Sequence, residues 1–393
     1  MPTVSTGLEQ LLRHSHPWIK GQRLGLLCNP ASIDHQIIHA RDCIRQRFPG
    51  QLKALYSPQH GFFAEKQDNM VESDHLTDAV TGLPVYSLYG QTRIPTADML
   101  APIDVLLIDL QDVGTRVYTF VYTLSYCLEA ARDCGRRVLV LDRPNPINGR
   151  QLEGNLLKPH WASFVGRYAL PMRHGMTIAE LARFFNDHFG IGSQLDVVAM
   201  RGWRRGMWFR DTGLPWVPPS PNMPTPDTAM VYPGQVVWEG TNLSEGRGTA
   251  QPFEMCGAPY LDITKIGAVL HAEELPGVVL RPCIFEPTSG KHARQPCRGF
   301  QIHVTDRDRY RPYLTTLKLL QAILRCHPDH FEWKPPPYEY EFEKQPIDLI
   351  LGDADIRRRI ERFENLETLA HEWQEELRAF RHTCEPSLIY TDH

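Results

Sequence analysis

Two short and uninterrupted apolar runs, VLLI at 105–108 and VLVL at 138–141, constrain the fold of this chain more than any other feature of its sequence. Strands that are apolar on both faces occur in parallel sheets that helices cover on both sides. Several strand-like runs alternate with helical patterns, and together they occupy residues 23–29, 52–56, 83–89, 103–110, 136–142 and 195–200. This alternation predicts a parallel, Rossmann-like α/β domain over residues 1–200.

Helix-end signals flank the helical patterns. Residues 120–135 end in Gly135, a natural C-cap, and residues 176–190 begin beside Thr177, a candidate N-cap. Residues 35–48 place Ile37, Ile38 and Ile44 on one stripe, which predicts a helix that packs on the sheet. The first predicted strand leads into GLLCNPAS and lacks the GxGxxG pattern, so we expect no dinucleotide site in the usual place.

The second half of the chain changes character, and 393 residues are many for a single hydrophobic core. Residues 201–260 are rich in Pro and Gly and contain Trp203, Trp208, Trp216 and Trp238. An irregular segment of this length is usually functional or disordered, and the tryptophans favour an ordered segment that lines a ligand cleft. Residues 261–393 mix strand-like runs with helical patterns and predict a smaller α+β domain.

Composition argues against several classes of protein. The formal net charge is −4, with 42 basic and 46 acidic residues spread along the chain, so we expect no nucleic-acid partner. No apolar run approaches the ~20 residues that span a bilayer, and the N-terminus lacks the pattern of a secretory signal. Nine cysteines without a CxxC pair are typical of free thiols in a reducing compartment. The sequence therefore predicts a cytoplasmic protein without a membrane span.

Polar side chains cluster directly after three of the predicted strands. Because ligands of a parallel α/β sheet bind beyond the carboxyl ends of its strands, these side chains are candidates for a ligand site. They are His60, Glu65, Glu72, Asp109, Asp112, Arg116, Tyr118, Asp142, Arg143, Asn145 and Glu153. Carboxylates, amides and arginines beside aromatic residues suit a sugar or another polyhydroxylated ligand.

Structural roles compete with binding roles at several of these positions. His60 can belong to a turn, Asp112 and Arg116 have the i,i+4 spacing of an ion pair, and Glu65 can simply be solvated. His174 precedes a helix and suits either a cap or a ligand group. The run SEGRGT at 244–249 lacks the GxxxxGK[ST] pattern, and neither HExxH nor GxSxG is present. We therefore expect no nucleotide, no metal and no other cofactor.

Longer motifs give the chain a family resemblance. They run in order from about residue 24 to residue 260 and read SPQHGFF, GLPVYSLYG, DVLLIDLQDVGTRVYTF, LDRPNPINGRQLEG, RHGMTIAEL, PSPNMPT, YPGQVVWEGTNLSEGRGT and PFEMCGAPY. Through these motifs the chain resembles the exo-β-N-acetylmuramidase family, whose members are glycoside hydrolases of peptidoglycan turnover. The resemblance implies a Rossmann-like domain, a smaller C-terminal domain and an active-site cleft between them. It also implies release of N-acetylmuramic acid from the non-reducing end of peptidoglycan fragments.

Two features depart from the family pattern. Many members read PEHG where this chain reads PQHG at 58–61, so Gln59 replaces a carboxylate with an amide. If that glutamate is the family's acid, the activity of this chain is impaired; if the acid lies further on, Gln59 can hydrogen-bond the sugar. Several relatives are exported, whereas no export signal is visible in this sequence. We therefore expect the chain to act on an imported muropeptide or amino-sugar disaccharide.

Glycoside hydrolysis usually needs two carboxyl groups, one of which must be protonated. We expect Glu72 to be the general acid and Glu153 to be the second carboxyl, with Glu65, Glu239 and Glu245 as further candidates. Alternatively, the N-acetyl group of the substrate attacks its own anomeric carbon, and the second carboxylate only orients the amide. The residues expected to bind the sugar are Gln59, His60, Asp112, Arg116, Tyr118, Asn145, His174, Asn222, Glu239, Asn242, Glu245 and Arg247.

Two other classes of function remain open at the level of sequence. A non-catalytic muropeptide- or carbohydrate-binding protein would use the same aromatic-lined site without a working pair of carboxyl groups. An esterase or amidase that acts on cell-wall fragments would need an activated nucleophile, for which Ser244 or a cysteine is required. Turnover of a muramide substrate and sensitivity to serine or thiol reagents separate these alternatives.

Overall fold

The computed structural model describes residues 4–68 and 70–392. Its strands lie close to the apolar runs of the sequence. Their bounds are β1 (Leu24–Cys28), β2 (Leu52–Ser57), β3 (Leu76–Thr77), β4 (Pro84–Ser87), β5 (Val105–Asp109), β6 (Arg137–Leu141), β7 (Glu153–Leu156), β8 (Pro171–Arg173), β9 (Gln194–Val198), β10 (Met255–Ala258), β11 (Val278–Phe285) and β12 (Cys297–Val304).

Seven of these strands form the central sheet, in the order β3-β4-β2-β1-β5-β6-β9. All neighbours pair in parallel except the short edge strand β3, which is antiparallel to β4. The chain builds the sheet outward from β1 to one side and then returns to β5 to build the other side. This sheet confirms the predicted α/β fold with a Rossmann-like parallel sheet.

Helices cover both faces of the sheet, as the uninterrupted apolar runs require. The helices of the chain are α1 (Gly7–Arg13), α2 (Ala40–Arg47), α3 (Ala97–Leu100), α4 (Phe120–Asp133), α5 (Ile178–Asp187), α6 (Pro226–Gln235), α7 (Ile263–Leu270), α8 (Pro312–Cys326), α9 (Pro346–Leu351), α10 (Ala354–Glu361) and α11 (Leu366–Cys384). Val105 and Leu107 of β5 pack with α1 and α2, whereas Leu106 and Ile108 face the cluster that contains α4 and α5. The alternation explains why every residue of β5 is apolar until its last, Asp109.

The helix ends follow the predicted caps, with one correction. Thr177 caps α5 through a capping box with Glu180, and Gly135 follows α4 with a φ of 63°. The helix predicted for 35–48 begins only at Ala40, because Ile37 adopts a φ of 64° in the preceding turn. Ile37 and Ile38 therefore do not share the buried stripe of Ile44, and both are exposed.

The segment 201–260 is more regular than its composition predicts. It contains α6, a following 3₁₀ helix at Val236–Gly240, and β10. Helix α6 packs closely on α8, and Gly234 is needed at this contact because an added Cβ would collide with the Pro312 carbonyl. Pro233 lies within α6, near its C-terminal end. Hydrophobic periodicity in the sequence does not reveal α6, because this helix has almost no polar face.

A smaller sheet lies in the second half of the chain. Strands β10, β12 and β11 form an antiparallel sheet in that order, and β7 and β8 pair separately. One hydrophobic cluster continues from the face of the central sheet through α8 to α11. Within the residues described, none of the helices combines the length and the apolar character that crossing a bilayer requires.

Candidate functional site

A small buried cavity lies beside the central sheet, where five parts of the chain meet. The loop after β2 contributes Gln59 and His60, the loop after β5 contributes Tyr118 and Thr119, and the segment between β7 and β8 contributes Val165. The other two parts are residues 220–253 and the loop between α8 and α9, which contribute Ser220, Asn222, Met223, Tyr232, Glu239, Arg247, Phe253, Tyr338 and Glu339. Its volume is about 30 Å³, which is room for a water molecule but not for a sugar ring.

Glu339 is the carboxyl group of the cavity whose pKa is raised by its surroundings. Its Oε1 accepts a hydrogen bond from Gln59 Nε2 at 3.0 Å, and its Oε2 accepts one from the Tyr89 hydroxyl at 2.6 Å. Gln59 is itself held by Thr119, whose hydroxyl donates to Gln59 Oε1 at 2.7 Å. Burial raises the pKa of Glu339 above its ordinary value despite these hydrogen bonds, and the nearby Glu239 adds to the rise.

Glu239 has the opposite electrostatic environment. Its Oε1 accepts from the Arg247 guanidinium at 2.8 Å, and its Oε2 accepts from the Tyr338 hydroxyl at 2.6 Å. Burial acts to raise the pKa of Glu239, but the charge of Arg247 and the Tyr338 hydrogen bond outweigh it and hold the pKa below its ordinary value. The cavity therefore combines two carboxyl groups whose pKa values are displaced in opposite directions.

Further charges fix the guanidinium that pairs with Glu239. Arg247 Nε lies 3.2 Å from Glu245 Oε1, and Lys291 Nζ lies 3.0 Å from Glu245 Oε2. Lys291 also donates to the carbonyls of Trp238 and Leu243. The charges alternate along this buried chain, so removing any one of them would leave its neighbour uncompensated.

His60 shapes the loop after β2. It adopts a φ of 79°, and its Nδ1 lies 2.8 Å from the carbonyl of Lys66. Burial lowers the pKa of His60 to about 4, so the imidazole is neutral near pH 7. A neutral ring that donates from Nδ1 to the carbonyl leaves Nε2 as an acceptor, which suits a sugar hydroxyl.

Aromatic rings form one wall of the cavity. The Tyr118 ring lies 4.7 Å from Phe120 and 5.9 Å from Tyr232, and Tyr232 lies 4.8 Å from Phe253, all as centroid distances. These rings give the cavity an apolar wall of low dielectric constant, which strengthens the electrostatic effects described above. They also offer apolar surface to the carbon–hydrogen face of a sugar.

The structure brings six of the predicted site residues to this cavity. They are Gln59, His60, Tyr118, Asn222, Glu239 and Arg247. Glu245 lies directly behind them as the partner of Arg247. The sequence expected only sugar binding from Gln59, whereas its amide is also hydrogen-bonded to the carboxyl group of Glu339.

The three carboxylates predicted to be catalytic lie outside the cavity. Glu72 is exposed and accepts a hydrogen bond from the Tyr340 hydroxyl at 3.0 Å, and Glu65 accepts from the backbone amide of Phe63 within its own turn. Glu153 lies on β7, where its carboxylate accepts from the backbone amide of Leu314 at 2.9 Å. The predicted pairing of Glu72 with Glu153 therefore has no shared cavity.

The remaining predicted binding residues hold backbone in place. They are Asp112, Arg116, Asn145, His174 and Asn242. The Arg116 guanidinium donates to the carbonyls of residues 155, 170, 350 and 351, and Asp112 accepts from the Gly114 amide and lies 3.3 Å from His174. Asn145 bonds the backbone of residues 147 and 176, and Asn242 bonds Tyr260 and the carbonyl of residue 330.

Sequence reasoning missed the residues that come from the far end of the chain. Tyr338 and Glu339 lie some 280 residues after Gln59, in the run PPPYEYEFEK at 335–344. The one signal in the sequence was the alternation of Tyr and Glu after three prolines. Prolines make a loop rigid, and a rigid loop that carries Tyr and Glu is suited to a polar binding site. Tyr89 lies in the family motif GLPVYSLYG, but the motif alone does not mark it as a site residue.

The chain has close relatives among known proteins. The family descriptions "Exo-beta-N-acetylmuramidase NamZ, N-terminal" and "Exo-beta-N-acetylmuramidase NamZ, C-terminal" match residues 24–227 and 230–390. The chain is 42% identical to the peptidoglycan beta-N-acetylmuramidase NamZ of Bacillus subtilis (strain 168), over 99% of this chain and 92% of that protein.

Two crystal structures of DUF1343 family proteins from Bacteroides fragilis NCTC 9343 are similar throughout. One has a TM-score of 0.88 at 32% identity and covers 100% of both chains. The other has a TM-score of 0.75 at 25% identity and covers 99% of both chains. The matches to both halves and the full-length relative agree with the motifs of the sequence, and the chain belongs to the exo-β-N-acetylmuramidase NamZ family.

Proposed function

We propose that this chain is an exo-β-N-acetylmuramidase that hydrolyses the glycosidic bond of N-acetylmuramic acid at the non-reducing end of peptidoglycan fragments. Family membership supports the reaction class. The observation that carries the mechanism is the presence of Glu339 and Glu239 in one buried cavity, with pKa values displaced in opposite directions. Glycosidases usually use two carboxyl groups whose environments shift their pKa values apart.

Glu339 is the proposed general acid. A group that protonates the glycosidic oxygen must carry its proton near neutral pH, and the burial of Glu339 favours the protonated form. Gln59 and Tyr89 position this carboxyl group from two sides. Gln59 donates an N–H to one oxygen of Glu339, so it orients the acid without adding a competing negative charge.

Glu239 is the proposed ionised partner. The transition state of glycoside hydrolysis resembles an oxocarbenium ion, so a fixed negative charge beside the anomeric carbon stabilises it. Arg247 and Tyr338 keep Glu239 ionised and hold both of its oxygens in place. The sugar contacts predicted for Gln59, His60 and the other cavity residues belong to the same proposal.

Substrate entry requires a movement of the residues that cover the cavity. The present volume of about 30 Å³ holds a water molecule and no sugar ring. The loop after β2 covers the cavity through Gln67, whose carbonyl accepts from Asn222 Nδ2 at 2.9 Å. In this proposal, opening of the loop breaks the hydrogen bond between Asn222 and Gln67.

The test compares two substrates with different leaving groups. One is the disaccharide in which N-acetylmuramic acid is linked to N-acetylglucosamine, and the other is 4-nitrophenyl N-acetylmuramide. Because nitrophenolate departs without a proton, E339Q should lower kcat for the disaccharide by about 10²–10⁴-fold and for the aryl substrate far less. E239Q should impair both substrates alike.

Two variants serve as controls for the carboxyl assignment. E343Q makes the same chemical change at an exposed position four residues away and should leave both activities intact. E72Q tests the assignment made from the sequence. A loss in E72Q that equals the loss in E339Q would transfer the acid role back to Glu72, and equal losses of E339Q on both substrates would remove Glu339 from proton transfer.

The alternative functions give different results in the same assays. A carbohydrate-binding protein would bind the disaccharide without turnover. For an esterase or amidase, Ser244 is a poor nucleophile, since its hydroxyl is buried and accepts a hydrogen bond from the Gly246 amide. Burial raises the pKa of the Cys28, Cys127 and Cys256 thiols, which disfavours the reactive thiolate. The predicted cytoplasmic location and the absence of a nucleic-acid partner stay predictions.

A further inference from the structure

A second pocket lies where β7 and β8 meet α8 and α11. Its lining includes Glu153 and Arg173 from the two strands, Tyr310 and Leu314 from the chain at the N-terminal end of α8, and Trp373 from α11. Its lining residues differ from those of the cavity described above. Its volume is about 110 Å³, well below the ~300–1,000 Å³ of pockets for drug-sized ligands. The pocket can therefore hold several water molecules or one small organic molecule.

Glu153 and Arg173 face each other across the two strands of this pocket. They are directly opposite in the antiparallel pairing of β7 with β8, so their side chains lie on the same face of the sheet. Opposite charges in such a pair attract, yet these two form no ion pair within the residues described. Glu153 Oε1 accepts instead from the Leu314 amide at 2.9 Å. The Arg173 guanidinium donates to the Ile147 carbonyl and lies 5.1 Å from the centroid of the Trp208 ring.

Three buried polar atoms of this pocket lack a hydrogen-bond partner in the part of the chain that the structure describes. They are Glu153 Oε2, Arg173 Nε and the Tyr310 hydroxyl. Arg173 and Tyr310 are each only 2% exposed. Buried polar atoms are almost always hydrogen-bonded, so three such atoms at one pocket indicate a site for a bound molecule.

The charges of the pocket define the chemistry of that molecule. Burial raises the pKa of Glu153 above its ordinary value, although the Leu314 amide and the Arg173 charge oppose the rise. Burial also lowers the pKa of Arg173 to about 10, although the Glu153 charge opposes the fall. Both charges have therefore lost hydration without gaining a direct counterion. A ligand with one positive and one negative group would supply both counterions.

The rest of the lining limits the size of the ligand. Leu314, Ala370 and Trp373 contribute apolar surface, against which a methyl group can pack. A volume of about 110 Å³ leaves no room for an aromatic ring in addition to two charged groups. A small zwitterion with a short aliphatic side chain fits both the charges and the space.

We propose that this pocket is a second binding site, which holds a free α-amino acid with a small side chain, such as alanine or glycine. The ammonium group of the ligand donates to Glu153 Oε2, and its carboxylate accepts from Arg173 Nε and the Tyr310 hydroxyl. The site goes beyond the proposed function, because it lies apart from the cavity that contains Glu239 and Glu339. It gives Glu153, which the sequence predicts to be catalytic, a role in binding a second ligand.

The direct test is a calorimetric titration of the whole chain with glycine and with each enantiomer of alanine. At least one of these ligands should bind with a Kd below about 1 mM, which a molecule of this size can supply. Phenylalanine should not bind, because its ring exceeds the pocket. Three probes test the charges: propionate lacks the ammonium group, ethylamine lacks the carboxylate, and propionamide carries no charge. Each should bind at least about tenfold more weakly than the amino acid.

Two variants locate the site on the protein. Y310F removes a hydroxyl without a partner in the described structure, so it should keep the Tm of the wild type and weaken binding by about 5- to 20-fold. E153Q keeps an oxygen for the Leu314 amide but removes the charge that pairs with the ammonium group, so it should weaken binding by at least about tenfold. E375Q makes the same chemical change at an exposed position on α11 and should leave binding intact.

Three outcomes would contradict the inference. Absence of heat with glycine and both alanines at up to about 20 mM would overturn it. Propionamide that binds as tightly as the amino acid would also overturn it, because the site would then recognise an amide. Unchanged binding to folded Y310F and E153Q would place the amino acid elsewhere on the protein. The titrations contain no glycan, so their results are independent of the proposed hydrolase activity.

Discussion

Replacing Gln59 with glutamate places a second carboxyl group beside Glu339, and it tests the assignment of Glu339 directly. In the present structure Gln59 Nε2 lies 3.0 Å from Glu339 Oε1. Two unit charges at this separation repel by about 5.5 kcal/mol at an effective dielectric constant of about 20, which corresponds to an upper limit of about 4 pKa units. The Q59E pair is therefore expected to share one proton over a wide range of pH.

The sign of the effect follows from the role of the acid. Glu339 acts while protonated, and a neighbouring carboxylate makes loss of that proton harder, so the basic limb of the pH profile of kcat/KM should move to higher pH by more than about 1 unit. The assay is the pH profile for the disaccharide. T119V, which removes a hydrogen bond to Gln59 without adding charge, should leave the limb in place. A basic limb of Q59E that keeps its position, or that moves to lower pH, would exclude Glu339 as the general acid.

Two predictions concern stability. R116M leaves buried carbonyls at residues 155, 170, 350 and 351 without the guanidinium, so the free energy of unfolding in urea should fall by at least about 3 kcal/mol; a loss below 1 kcal/mol would contradict this account. Burial raises the pKa of Asp142 to about 7, so the folded chain keeps a proton that the unfolded chain releases near pH 4. The stability of the wild type should therefore fall by up to about 1.4 kcal/mol per pH unit between pH 4 and 7, and D142N should flatten that slope. An identical slope in the two proteins would exclude Asp142 as its source.

The central sheet was predictable because its signal is local. Apolar residues on both faces of β5 and β6 require cover on both sides, and caps such as Thr177 act within one turn of their helix. The failures have equally local causes. The spacing of Ile37 and Ile38 predicts a helix, but a positive φ at Ile37 places both residues in a turn. Helix α6 is buried on nearly all sides, so it lacks the polar face by which periodicity identifies a helix.

The candidate site was only half predictable. The rule that ligands bind beyond the carboxyl ends of parallel strands drew attention to the loops after β2 and β5, and two of its candidates, His60 and Tyr118, line the cavity. The same rule favoured Glu72, which the structure leaves exposed. Whether a carboxylate after a strand faces the cavity or the solvent depends on the path of its loop, and no periodicity encodes that path.

Local patterns and long motifs in the sequence are enough to predict the parallel sheet, the order of its elements and the family of the chain. Which carboxyl groups share one cavity depends instead on how distant segments pack in the folded chain. Glu339 meets Gln59 across 280 positions of sequence, and the pKa of Glu339 depends on burial and on its neighbours Tyr89 and Glu239. A pKa is set by surroundings in three dimensions, so it arises only when distant parts of the chain pack together.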